Sequence, residues 1–161
     1  MRISNRTINL LLGAIALGLL AVCIASIMSP VRFADEQAAR ETVVKQRLIK
    51  IRAAETAFLA RHGRYCASLD SLVSGGYLAD SLKFIPFSAG KMFELDASTV
   101  TTKSGKHVPV MECGARYEHY MEGMDENSVY NLTAKAGAMG LYPGLKIGSL
   151  TSPGNTAGNW E

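Results

Sequence analysis

No charged side chain occurs between Thr7 and Val31, and the apolar stretch from Ile8 to Met28 is long enough to cross a bilayer. A helix of about 20 residues covers the roughly 30 Å hydrocarbon layer. Arg2 and Arg6 precede the stretch, and Arg32, Asp35 and Glu36 follow it. Positive charge on the short N-terminal side predicts a cytoplasmic N-terminus and a C-terminal domain outside. The expectation is a single-pass protein of the bacterial inner membrane, in contact with the lipid bilayer through Ile8 to Met28. A cleaved secretory signal has a shorter apolar core and a small-x-small site after it. Ala25-Ser26-Ile27-Met28 makes a poor site. Leu20-Ala21-Val22-Cys23 resembles a lipobox, but Val22 is the wrong residue before the cysteine and the apolar run continues past Cys23. A retained anchor is the reading that remains.

The rest of the chain suits one domain of modest core. The whole sequence carries 17 Lys and Arg against 14 Asp and Glu, and two of the basic residues are Arg2 and Arg6. The remainder is therefore nearly neutral, which excludes the clearly basic face of a nucleic-acid binder. Charge is nevertheless unevenly spread. Arg32 to Arg64 is rich in basic residues, while Glu112 to Glu126 holds five acids against Arg116 alone.

Beyond Pro30 the pattern is helical. Val44, Leu48, Ile51, Ala54 and Phe58 recur at spacings of three and four, so they share one face. Arg40, Lys45, Arg47, Lys50, Arg52 and Glu55 fall mostly elsewhere on the cylinder, giving one dry stripe on a charged helix. Pro30 suits a kink or the first residue of a new helix. Gly63 caps the end, with Arg61 and His62 near the negative end of the dipole. Ser68 caps a second short helix, with Asp70 in its first turn, and Gly75-Gly76 stops it. Lys83 to Phe87, Lys91 to Thr102 and Lys106 to Tyr120 then alternate or are β-branched, and predict two or three antiparallel strands joined by tight turns. Val129 to Leu132 is a candidate for another strand. The tail, rich in Gly, Pro, Asn, Ser and Thr, reads as irregular and pinned by Trp160. The domain layout is thus 1–31 cytoplasmic tip and anchor, 32–64 stalk helix, 65–141 small α+β periplasmic domain and 142–161 tail.

Catalytic and metal motifs are absent from the sequence. His62, His107 and His119 have no metal-ligand partners at diagnostic spacing. There is no phosphate loop, dinucleotide fingerprint or nucleophile elbow. No enzyme activity, cofactor or metal is expected. Cys66 and Cys113 are the pair outside the expected anchor, and an exported compartment predicts a disulfide between them; two buried free thiols are the alternative. The basic helix residues Arg40, Arg47, Lys50 and Arg52 and the acidic Glu118, Glu122, Asp125 and Glu126 form complementary surfaces. They are expected to meet within one molecule or between neighbours, the alternative being two solvated surfaces that keep the domain soluble.

An N-terminal apolar helix with a proline near its end, then Ala53-Ala54-Glu55-Thr56-Ala57-Phe58 leading into Arg61-His62-Gly63-Arg64-Tyr65, resembles a type IV pilin or type II secretion pseudopilin. Ser68-Leu69-Asp70-Ser71-Leu72 followed by Gly75-Gly76-Tyr77-Leu78 is similar to that family too. The resemblance implies an α+β fold in which a long N-terminal helix, anchor plus stalk, packs on a small antiparallel sheet. It also implies a structural or assembly role in a secretion or pilus-type envelope machine, through contacts with other envelope proteins or copies of itself. The alternative is a stand-alone membrane-tethered periplasmic binding module outside any filament. Ser4 to Leu10 departs from the family, with neither the glycine nor the acid of a prepilin peptidase site.

Overall fold

A computed structural model describes residues 5–161, with side chains described for all of them except 5, 7 and 25–30. The chain is α+β. Helix α1 (Asn5–His62) is followed by α2 (Leu69–Ser74), a 3-10 turn at Asp80–Leu82, strands β1 (Glu94–Thr101) and β2 (His107–Arg116), a single helical turn α3 (Tyr117–Tyr120), α4 (Glu126–Ala138) and β3 (Gly144–Gly148). The strands form an antiparallel sheet in the order β1-β2-β3. Contacts divide the chain into two compact units, Met1–Gln37 and Ala38–Glu161.

In the first unit α1 is apolar on every side from Leu10 to Ile24. Leu10, Leu11, Leu12, Ile15, Leu17, Leu19, Leu20, Val22 and Ile24 are all exposed. The helix assignment continues through residue 30, so Pro30 neither begins nor ends an element. Among the described residues no helix is long and apolar enough to cross a membrane. This overturns the transmembrane anchor and the single-pass inner-membrane placement expected from the sequence. The last part of the expected anchor, residues 25–28, has its side chains outside the described set.

The second unit has the core. Val44, Leu48, Ile51 and Ala54 of α1 are buried, as their spacing demands. With them are Leu69 and Leu72 of α2, Val110, Met111, Cys113 and Ala115 of β2, and Leu145 and Ile147 of β3. Burying each large aliphatic side chain contributes about 1.5–3 kcal/mol. β2 is the central strand, so its burial is nearly continuous from Val110 to Ala115, whereas β1 at the edge alternates half-buried and exposed positions. Such near-continuous burial is what a strand paired on both sides requires.

The helix ends follow local chemistry. Gly63 takes φ +70°, the left-handed conformation that suits glycine after a last turn, and its N–H donates to the Leu59 carbonyl at 2.8 Å. The Ser68 hydroxyl accepts from the Ser71 N–H at 3.3 Å, which caps α2. Asp125 caps α4, accepting from the Ser128 N–H at 2.8 Å. The hydrogen bonds from Ser128 hold the Asp125 carboxyl below the usual carboxylate range. Asp125→Ala should therefore lower the thermal midpoint and loosen α4, with Asp125→Asn milder. Unchanged hydrogen exchange at the amides of residues 127–129 in the alanine variant would contradict the cap.

Three sequence expectations are corrected. Val129 to Leu132 lies inside α4 and is not a strand, because the Asp125 cap and the following alanines outweigh the β-branched Val129. Tyr117 to Tyr120 is a helical turn rather than the end of a strand. The tail is not irregular throughout: it supplies β3, held on its outer side by residues 157–159.

Candidate functional site

The basic face of α1 reaches the acidic stretch through backbone carbonyls. Arg40 donates from Nη1 to the backbone carbonyls of Tyr120 at 3.1 Å and Glu122 at 2.9 Å, and its guanidinium lies 5.0 Å from the centre of the Phe87 ring. Arg47 donates to the carbonyls of Ser81 and Phe84. Arg52 reaches the Thr156 carbonyl at 3.2 Å and the Glu161 carboxylate at 3.0 Å, and that arginine holds the Glu161 carboxyl below its usual range. Lys50 is exposed. These three arginines therefore fasten three separate loops and the C-terminus to one helix.

On the acidic side, Glu122 accepts from the Ala89 N–H at 3.1 Å and Asp125 is the α4 cap. Glu118 and Glu126 are exposed, with Glu118 3.5 Å from His119 Nε2. Among the described residues, Arg40 and Glu122 are the pair that comes together, through the Glu122 carbonyl. Sequence alone cannot distinguish an arginine seeking a carboxylate from one seeking a carbonyl.

Cys66 and Cys113 are both buried and both free thiols, so the expected bridge is not formed in this structure. The Cys66 Sγ instead donates to the Ser68 carbonyl at 3.3 Å. Cys113, opposite Leu95 and Ile147 in the sheet, has its thiol pushed well up by burial, with Glu55 adding to the shift. Raised in this way, the Cys113 thiol is not an activated nucleophile, which would need a stabilised thiolate. His62 Nε2 lies 3.2 Å from the Tyr77 hydroxyl, and the Phe58 ring packs against both rings. Among the described residues no group of three or more His, Cys, Asp or Glu is placed to hold a metal.

Close to both cysteines lies a residue that the sequence pattern misplaced. Glu55, grouped by its charge with the outer face, is completely buried. Position 55 follows Ile51 by four and Leu48 by seven, so the stripe already contained it. Its Oε2 accepts from the Cys66 N–H at 2.9 Å, while Oε1 is buried without a hydrogen-bond partner among the described residues. Burial pushes the carboxyl up to about 7, against the lowering effect of the Cys66 amide. Such a carboxyl could serve acid–base chemistry only if substrate reached it. Enclosed as it is, it acts as a structural clamp that ties the segment after α1 back onto the helix.

No protein-family model, curated protein or solved structure matches the chain.

Proposed function

We propose that the protein is a pilin-like or pseudopilin-like assembly protein that works through protein–protein contacts, with the apolar part of α1 as its packing element. The observation that carries this reading is the exposure of nine large aliphatic side chains between Leu10 and Ile24, distributed around the whole helix. A surface helix normally has one apolar stripe, and one apolar on every side has to be surrounded. Neighbouring copies of the same helix supply such surroundings, since several can pack around one at about 8–10 Å between axes. The α+β domain that follows has a buried core and helix-fastened loops, which suits a rigid body carried on an assembly. The stand-alone binding module is the second reading, favoured by the open outer edge of β1.

Cysteines introduced one at a time at residues 11, 15 and 19 in a Cys23→Ala background, where the remaining Cys66 and Cys113 are buried, test the assembly. Full-length protein in mild detergent and in intact cells should give a ladder of cross-linked copies with a short bifunctional reagent. Ile15→Asp, combined with the cysteine at residue 11 or 19, should collapse the ladder while leaving the melting of the domain unchanged. A pattern limited to monomer at every position would defeat the proposal.

A further inference from the structure

Strand β1 has one side occupied and one side open. The Thr102 N–H donates to the Lys106 carbonyl at 2.9 Å, at the turn that joins β1 to β2. Strict alternation along an antiparallel pair then turns the backbone groups of residues 94, 96, 98 and 100 toward β2. Pro109 agrees with this parity: it stands opposite Thr99, where no hydrogen bond to β1 is required of it. The odd positions face the other way. That outer line is used at its beginning, where the Phe93 N–H donates to the Lys83 carbonyl at 3.0 Å and the Ile85 N–H to the Lys91 carbonyl at 2.7 Å. Beyond Phe93 it has no partner among the described residues, because β1 is the edge of the sheet. Leu95, Ala97 and Thr99 therefore present unpaired N–H and C=O groups in a row.

Beside this edge is a cleft of about 380 Å³. Ala97, Ser98 and Thr99 form one wall, and Phe58, Tyr65 and Arg64 belong to the other. Arg64 is exposed and has no ion pair among the described residues, in contrast to the fastened Arg40, Arg47 and Arg52. The cleft thus combines a backbone template, an aromatic and small-residue wall, and one unspent cation.

We propose that the β1 edge is a docking site for an extended peptide of a partner protein, which adds a strand beside Leu95, Ala97 and Thr99 and brings a carboxylate to Arg64. Main-chain pairing of this kind supplies affinity, and the side-chain pockets along the strand supply selectivity. Charge decides between this partner and a second copy of β1. The acids of β1, Glu94 and Asp96, stand at the parity opposite to Leu95, Ala97 and Thr99. A second β1 would therefore bring no carboxylate to the cleft side, and Arg64 would stay unmatched.

The probe is a synthetic, end-capped heptapeptide of alternating Thr and Val with a central Asp, titrated into the full-length protein in mild detergent. Binding should saturate below ~1 mM and weaken by roughly tenfold or more in Ala97→Pro, in Arg64→Glu, and when alternate peptide nitrogens are methylated. Ala97→Pro removes an outward donor only, so its urea midpoint should match the parent, whereas Ser98→Pro removes a donor to β2 and should lower it. The methylated peptide keeps the test valid if Ala97→Pro folds poorly. Three results would overturn the proposal: no saturation at that concentration, binding indifferent to methylation and to Arg64, or a concentration-dependent dimer that Ala97→Pro dissolves.

Discussion

Glu55→Gln should remove a large pH dependence from the stability of the domain. The folded carboxyl sits at about 7 and the ordinary value is 4.5, because burial penalises the ionised form. Between those two values the folded protein holds a proton that the unfolded chain has released. The stabilisation is fully present below 4.5 and is lost as pH rises through 7, a total of roughly 3 kcal/mol from this one group. Glutamine has the same shape, stays neutral and still accepts from the Cys66 N–H. The variant should therefore gain about 3 kcal/mol relative to the parent on going from about pH 4.5 to about pH 8. Urea unfolding at both pH values measures the difference directly. Tyr65 and Cys113 feel the Glu55 charge, but burial already pushes both above the working range, so they do not titrate in this window. Parallel stability curves for parent and variant would show that Glu55 is hydrated.

The same residue illustrates what could be read from the chain beforehand and what could not. Helix periodicity located Val44, Leu48, Ile51 and Ala54 correctly, because burial of an apolar stripe is a repeating, additive signal. It failed at Glu55, where the spacing said inside and the charge said outside. The spacing was right because one amide, that of Cys66, was available to meet the carboxylate. The caps at Ser68 and Gly63 were legible, since they depend on residues a few positions apart. The cap at Asp125 has the same form but was obscured by the strand-like Val129 and Tyr130 that follow it. Roles that depend on distant backbone were hidden altogether. Nothing within α1 tells that Arg47 will meet the Phe84 carbonyl or that Arg52 will meet residue 156. The open edge of β1 was equally hidden, because an edge is a statement about which strands are missing beside it.

Strand β3 was missed for a different reason, and it underlies the remaining prediction. Five residues bounded by glycines in a Gly- and Pro-rich tail look like a turn, and local propensity is outweighed by pairing with β2 and with the tail. Gly148 is where those pairings converge. It stands opposite Glu112, its N–H donates to the Ala157 carbonyl at 2.9 Å, and its φ is +76°. A Cβ at this position would run into the backbone carbonyl of Met111, which has no freedom to yield within the central strand. Gly148→Ala therefore combines left-handed backbone strain with displacement of β3, and should cost more than about 3 kcal/mol. Gly154→Ala is the matched control: φ is +80°, but the space around the new Cβ is open. It should lose only the backbone component, about 1 kcal/mol. The gap between the two measures how rigidly the tail is built into the sheet. Equal losses in equilibrium unfolding would mean that β3 can move away from Met111, and that the tail is a loose attachment rather than the third strand.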